Sequence, residues 1–161
     1  MHSIAEDYVD LVLPVLLAEA RRTYTRAIRE ALAGAGFDDM PRAGARVIGR
    51  IARGGTSVGE VAGAYGVSKQ AASQLVDALV MRGYVERVPD DEDRRRMTVA
   101  LTGRGQAAAV ELREAVERVD AQLATAVGAD TLRAMRTALA SLAAIGVGAD
   151  PAEIAAASRP A

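Results

Sequence analysis

The sequence predicts a mainly α-helical fold carrying one small β-hairpin, and three observations support that expectation. Apolar residues recur at helical spacing along most of the 161 residues. Glycines and prolines cut this pattern into separate helices. Between Tyr84 and Leu101 the period changes: two short extended segments flank a polar, highly charged centre, as in a hairpin.

The first helix is expected from about Ile4 to Leu32, with Tyr8, Val12, Leu16, Ala20, Tyr24, Ala27, Ile28 and Ala31 at helical spacing and Pro14 kinking or starting it. Gly34, Gly36, Asp38 and Asp39 end it. Pro41 suits the first turn of a second helix reaching Ala52, with Val47, Ile48 and Ile51 inward, and Gly54 and Gly55 stop it. Ser57 followed by Glu60 reads as a capping box for a short third helix that Gly66 closes. Ser68 is the next N-cap, and Lys69 to Arg82 is helical with Ala72, Leu75, Val76, Leu79 and Val80 apolar. Gly83 stops that helix, Tyr84–Val88 extends, Pro89–Arg96 forms the loop, and Met97, Val99 and Leu101 alternate along the returning strand. Thr102 caps a long helix to about Val127; a last helix carries Leu132, Met135, Leu139 and Leu142 and ends near Gly146. The region 147–161 is expected to be a flexible tail.

Composition removes several classes of function. Half of the residues are hydrophobic (50%) and 25% are charged, as expected of a folded domain; aromatics reach only 3%, so alanine, leucine and valine must form the core. No cysteine is present, which excludes disulfides, thiolate metal sites and thiol redox switching. The single histidine, His2, leaves no basis for histidine catalysis or a multi-histidine metal site. There is no Ser/His pair and no phosphate-binding loop, and the neighbours Ser68 and Lys69 lack the spacing of a serine–lysine nucleophile. An enzyme is therefore not expected, nor is a cofactor. The apolar run Leu11–Ala18 is too short to span a bilayer and follows Glu6, Asp7 and Asp10, so no membrane association and a cytoplasmic location are expected.

The net charge of −1 conceals an uneven distribution: Met40–Arg104 holds 11 basic and 7 acidic residues. Within that span, a short helix, a turn at Gly66 and a second helix two residues later have the spacing of a helix-turn-helix. With Ala72, Leu75, Val76 and Leu79 on one face of the second helix, Gln70, Ser73, Gln74 and Asp77 fall on the other. Glutamine can pair bidentately with an adenine edge, a serine such as Ser68 or Ser73 can meet a base or a phosphate, and Lys69 can meet a phosphate. In the hairpin, Asp93, Arg94, Arg95 and Arg96 occupy the tip, and guanidinium groups there suit a narrow minor groove. The bland alternative is a solvated salt-bridge loop, since Asp90, Asp91, Glu92 and Asp93 nearly balance the arginines.

The run GVSKQAASQLVDALVMRGYVER, the wing DDEDRRRMTVALT and the following Gly105 resemble the multiple antibiotic resistance regulator (MarR) family of winged helix-turn-helix transcription regulators. The resemblance covers roughly residues 4 to 146. It implies one domain over 1–146, in which a winged helix-turn-helix (40–101) is flanked by N- and C-terminal dimerisation helices (4–33 and 103–146). It further implies a homodimeric repressor on a palindromic double-stranded DNA operator, with recognition helix 68–82 in the major groove and wing 89–96 in the minor groove. By the family pattern Asp93 matches the wing aspartate and Arg95 the minor-groove arginine, with Arg94 and Arg96 as its neighbours in register. Asp91 departs from the pattern, which commonly has proline there.

Three further features stay open at this level. Arg42, Arg46 and Arg50 at spacing four, with Arg53 beyond, form either a phosphate-contacting stripe or a solvent face. Tyr24 and Tyr65 either pack in the core or line a pocket for a small-molecule effector, where the resemblance would put one. The alanine- and leucine-rich terminal helices are wider in their apolar faces than a monomer can cover, which favours burial across a two-fold axis. The rival to DNA regulation is a winged helix used as a protein-interaction module.

Overall fold

The computed structural model describes residues 8, 10–54, 56–90 and 97–150. The chain divides into two compact units, Met1–Glu117 and Arg118–Ala161. The first contains α1 (Leu13–Gly34), α2 (Gly44–Ile51), α3 (Val58–Tyr65), α4 (Lys69–Met81), β1 (Val85–Pro89) and β2 (Met97–Leu101). Helix α5 (Gly103–Val127) begins in it, and α6 (Ala129–Gly146) belongs to the second.

Proline starts α1, as the missing N–H requires: Pro14 sits in the first turn behind an extended Val12. Most of the stretch expected before it, from Ile4, lies outside the described residues. The second helix starts at Gly44, later than Pro41 suggested. The chain first closes a turn in which the Gly44 N–H donates to the Pro41 carbonyl at 2.7 Å. A Cβ at Gly44 would lie 2.8 Å from the Met40 sulfur and 3.0 Å from Leu79, so this corner is packed around a missing side chain.

The core of the first unit gathers Val47, Ile48 and Ile51 from α2, Val61 from α3, Ala72, Val76 and Leu79 from α4, and Val85 and Val99 from the hairpin. Leu32 and Ala108 contribute from the long helices, and Tyr84 is wholly buried. Most of these are positions that the helical and alternating periods marked as apolar, whereas Tyr8, Val12, Val80, Met97 and Val110, marked in the same way, remain exposed. β1 and β2 pair antiparallel from Val85↔Leu101 to Pro89↔Met97. Pro89 thus ends a strand, where a loop was expected, and a two-stranded edge tolerates its lack of a donor. Thr56 adds a bridge that periodicity does not reveal: its carbonyl accepts from the Val99 N–H at 2.9 Å and from the Thr98 hydroxyl at 3.0 Å.

In the second unit α6 follows Gly128, whose φ of 84° suits glycine. Arg136 and Asp120 form an ion pair. None of the residues of α6 is buried, and Met135, Leu142 and Ile145 are exposed. Of the expected tail, 151–161 lies outside the described residues.

Candidate nucleic-acid interface

Local chemistry builds the α3–turn–α4 motif. The Ser57 hydroxyl accepts from the Glu60 N–H while the Glu60 carboxylate accepts from the Ser57 N–H at 2.7 Å, which closes the capping box. Those hydrogen bonds, led by the backbone one, hold the Glu60 carboxyl below the ordinary carboxylate range. Gly66 takes the left-handed conformation (φ 61°, ψ 34°) that ends α3. Ser68 then accepts from the Ala71 N–H at 3.1 Å and starts α4.

With Ala72, Val76 and Leu79 buried, α4 turns Lys69, Gln70 and Gln74 to solvent and leaves Ser73 half-buried. Asp77, on that same face, is committed elsewhere. It accepts from the Arg87 guanidinium of β1 at 2.7 Å and lies 3.5 Å from the Ser73 hydroxyl. The outer face of α4 and the hairpin are therefore tied by an ion pair that spacing does not predict. The hairpin carries its strands out to Pro89 and Met97; its tip, with Asp93, Arg94, Arg95 and Arg96, lies outside the described residues.

The arginine stripe is uneven. Arg42, Arg46 and Arg53 differ from Arg50 in their surroundings: Arg42, Arg46 and Arg53 are exposed, whereas Arg50 is half-buried and its Nε is a buried donor. The Arg46 guanidinium lies 4.3 Å from the Tyr65 ring centroid, and the Tyr65 hydroxyl donates to the Arg46 carbonyl at 2.7 Å, so α2 and α3 clasp each other there. Arg42 and Arg46 also line a cleft of about 1330 Å³ against α1, together with Tyr24, Ile28, Arg21, Arg26 and Arg29. Tyr24 and Tyr65 are not brought together, since only Tyr24 lines that cleft.

Sequence reasoning missed a polar cluster at the base of the hairpin. The buried Tyr84 donates its hydroxyl to Asp39 at 2.5 Å, and Arg104 donates to the same carboxylate oxygen at 2.8 Å. The Tyr84 hydrogen bond, with Arg104 beside it, lowers the Asp39 pKa. Burial, then the bond to Asp39, pushes the Tyr84 phenol up to about 12. A raised folded pKa makes its stabilisation complete below the ordinary tyrosine value, near 10, and lost as pH rises through the folded one. The parent is accordingly expected to lose stability between about pH 10 and 12 more steeply than Tyr84→Phe, as read by urea unfolding. Equal pH slopes in the two proteins would contradict the assignment. The only sequence signals for this cluster were an aromatic following a helix-stopping glycine and the acidic pair before Pro41.

Three helices packed around a helix-turn-helix and followed by a paired hairpin define a winged helix-turn-helix protein. Residues 38–96 match the model of the MarR family, and the chain has the fold of MarR-family transcriptional regulators. The reduced form of MarR from E. coli is 24% identical, covering 82% of this chain and 96% of its own, with a TM-score of 0.63. A MarR transcriptional regulator from Methanosarcina mazei Go1 is 18% identical over 84% of this chain and 96% of its own, with a TM-score of 0.70. A MarR-family transcriptional regulator from Rhodococcus sp. RHA1 is 22% identical over 89% and 98%, with a TM-score of 0.62. No curated protein matches the chain by sequence. Among the described residues no helix is long and apolar enough to cross a membrane, and no group of three or more histidine, aspartate or glutamate side chains is arranged to hold a metal ion.

Proposed function

We infer that the protein is a dimeric DNA-binding transcription regulator, a repressor that reads a palindromic operator with α4 in the major groove and the hairpin in the minor groove. The observation that carries this reading is the outer face of α4. Lys69, Gln70 and Gln74 are solvent-facing on a helix whose opposite face is locked into the core, so the polar edge is rigid and presented. The exposed Arg42, just ahead of α2, suits phosphate contacts beside it, with Arg46 next to it. Pairing of two chains through the long helices accounts for the exposed apolar side chains of α6, which a monomer leaves in water.

The test is binding to duplex DNA selected by the protein from a random pool, measured across a salt series. Counterion release makes affinity fall steeply as salt rises, and Arg95→Ala is expected to weaken binding roughly tenfold and to flatten the slope by about one unit. Sedimentation at micromolar concentration is expected to give twice the 16.8 kDa chain mass. Salt-insensitive or absent DNA binding would favour the protein-interaction module; a clean monomer would remove the dimer.

The cleft between α1 and α2 favours an effector-responsive version of this function. Six arginines, Arg21, Arg22, Arg26, Arg29, Arg42 and Arg46, line it beside Tyr24 and Ile28, and the one carboxylate among its described lining residues, Glu19, already pairs with Arg22. That lining suits an anion with an apolar body. With benzoate as the probe, the melting temperature is expected to rise in the parent and to stay flat in the Arg29→Ala, Arg42→Ala double variant. A parent that does not respond to benzoate argues against an aromatic carboxylate.

A further inference from the structure

Arg104 stands in the first turn of α5, where a cation opposes the helix dipole and an acidic residue is the favourable choice. Its presence there calls for a compensating tertiary role, and the geometry supplies three. One guanidinium nitrogen donates to the Arg82 carbonyl at 2.8 Å, at the residue that caps α4. The other donates to Asp39 at 2.8 Å, in the connection between α1 and α2. The guanidinium carbon lies 4.4 Å from the Tyr84 ring centroid, over the wholly buried ring that begins the path into β1. One planar side chain thus joins the end of the recognition helix, the base of the hairpin, the α1–α2 connection and the start of α5. Lysine, a point charge without a planar fork, cannot make both directed bonds and stack at once.

We propose that Arg104 is a positioning residue for operator binding: it sets the angle at which α4 leaves the long helices and so the spacing of the two recognition helices in the dimer. This rests on the regulator reading above. The lever is long, because a helix of 25 residues rises about 37 Å, and a tilt of about 10° at its start moves the far end by roughly 6 Å. That is close to two base-pair steps of the duplex, each about 3.4 Å. A loosened junction therefore degrades spacing discrimination, while the side chains that touch DNA stay in place.

The experiment uses the full chain and the half-site pair it selects from a random duplex pool, re-synthesised with spacers one and two base pairs longer and shorter. Affinities are measured by fluorescence anisotropy at several salt concentrations for the parent, Arg104→Ala, Arg104→Lys and Asp39→Asn. The folded fraction of each is checked by circular dichroism. The parent is expected to prefer one spacing by tenfold or more. Both Arg104 variants and Asp39→Asn are expected to lose about tenfold at that spacing and little at the others, with an unchanged salt slope. Three outcomes overturn the proposal: a retained spacing preference in Arg104→Ala, an equal loss at every spacing, or a salt slope lowered by about one unit, the mark of a direct phosphate contact. A parent that selects no DNA overturns the regulator reading and this inference together, whereas a parent that binds with variants that match it overturns only the inference.

Discussion

Gly105→Ala is expected to destabilise the protein by about 3 kcal/mol, the upper part of the range for forcing an added methyl group into a packed site. A Cβ at this position would lie 1.9 Å from the Tyr84 carbonyl oxygen and 3.0 Å from its carbonyl carbon. The obstruction is backbone, so no rotamer change relieves it. Nor can the helix withdraw cheaply. The Thr102 hydroxyl donates to the Gly83 carbonyl at 2.5 Å and accepts from the Gly105 N–H at 3.1 Å, and the Thr102 N–H donates to the same Tyr84 carbonyl at 3.2 Å. Moving α5 away would strain all three bonds. The melting temperature is expected to fall by roughly 10 °C, given a few degrees per kcal/mol for a chain of this size. Gly103→Ala is the control, since nothing lies within 4 Å of the point where its Cβ would stand, and alanine there is expected to leave stability unchanged or slightly raised. Similar losses in both variants would show that helix propensity, and not the close approach, governs the site.

The second large effect concerns operator reading. Gln70→Ala combined with Gln74→Ala is expected to lower specific affinity about 100-fold, at roughly tenfold for each bidentate base contact. Non-specific affinity and the salt slope are expected to remain as they are, because neither glutamine carries charge. Both side chains are exposed on α4, so the fold is not expected to suffer. Anisotropy with selected and scrambled duplexes decides the matter. An unchanged ratio of specific to non-specific binding would remove α4 as the reading element, whatever the hairpin does.

Asp77 shows how a face read from spacing is refined by its neighbours. Helical period places it beside Gln70, Ser73 and Gln74, and it is indeed exposed there. Yet its carboxylate is held by Arg87 across the junction with the hairpin, so it braces the helix against the strand. Ser57, Glu60, Gly66 and Ser68 needed no such revision. Their partners lie within four residues, and capping chemistry at that range is written in the local sequence. The same holds for the core positions of α2, α3 and α4, which the apolar period marks and burial matches. The Thr56 bridge to Val99 was hidden because a single extended residue after a glycine stop carries no period of its own.

By itself, then, the chain determined its helices, their caps, the two hairpin strands and the polar face of α4, since each follows from spacing, capping residues and glycine placement over a few neighbours. Only the tertiary structure decided how the hairpin is braced and how α5 is seated. Asp39 meets Tyr84 across 45 positions and Arg104 across 65. Contacts at such separation depend on where packing brings the segments: the buried Tyr84 ring and the seating of α5 bring the phenol and the Arg104 guanidinium to an Asp39 carboxylate that itself remains partly in water.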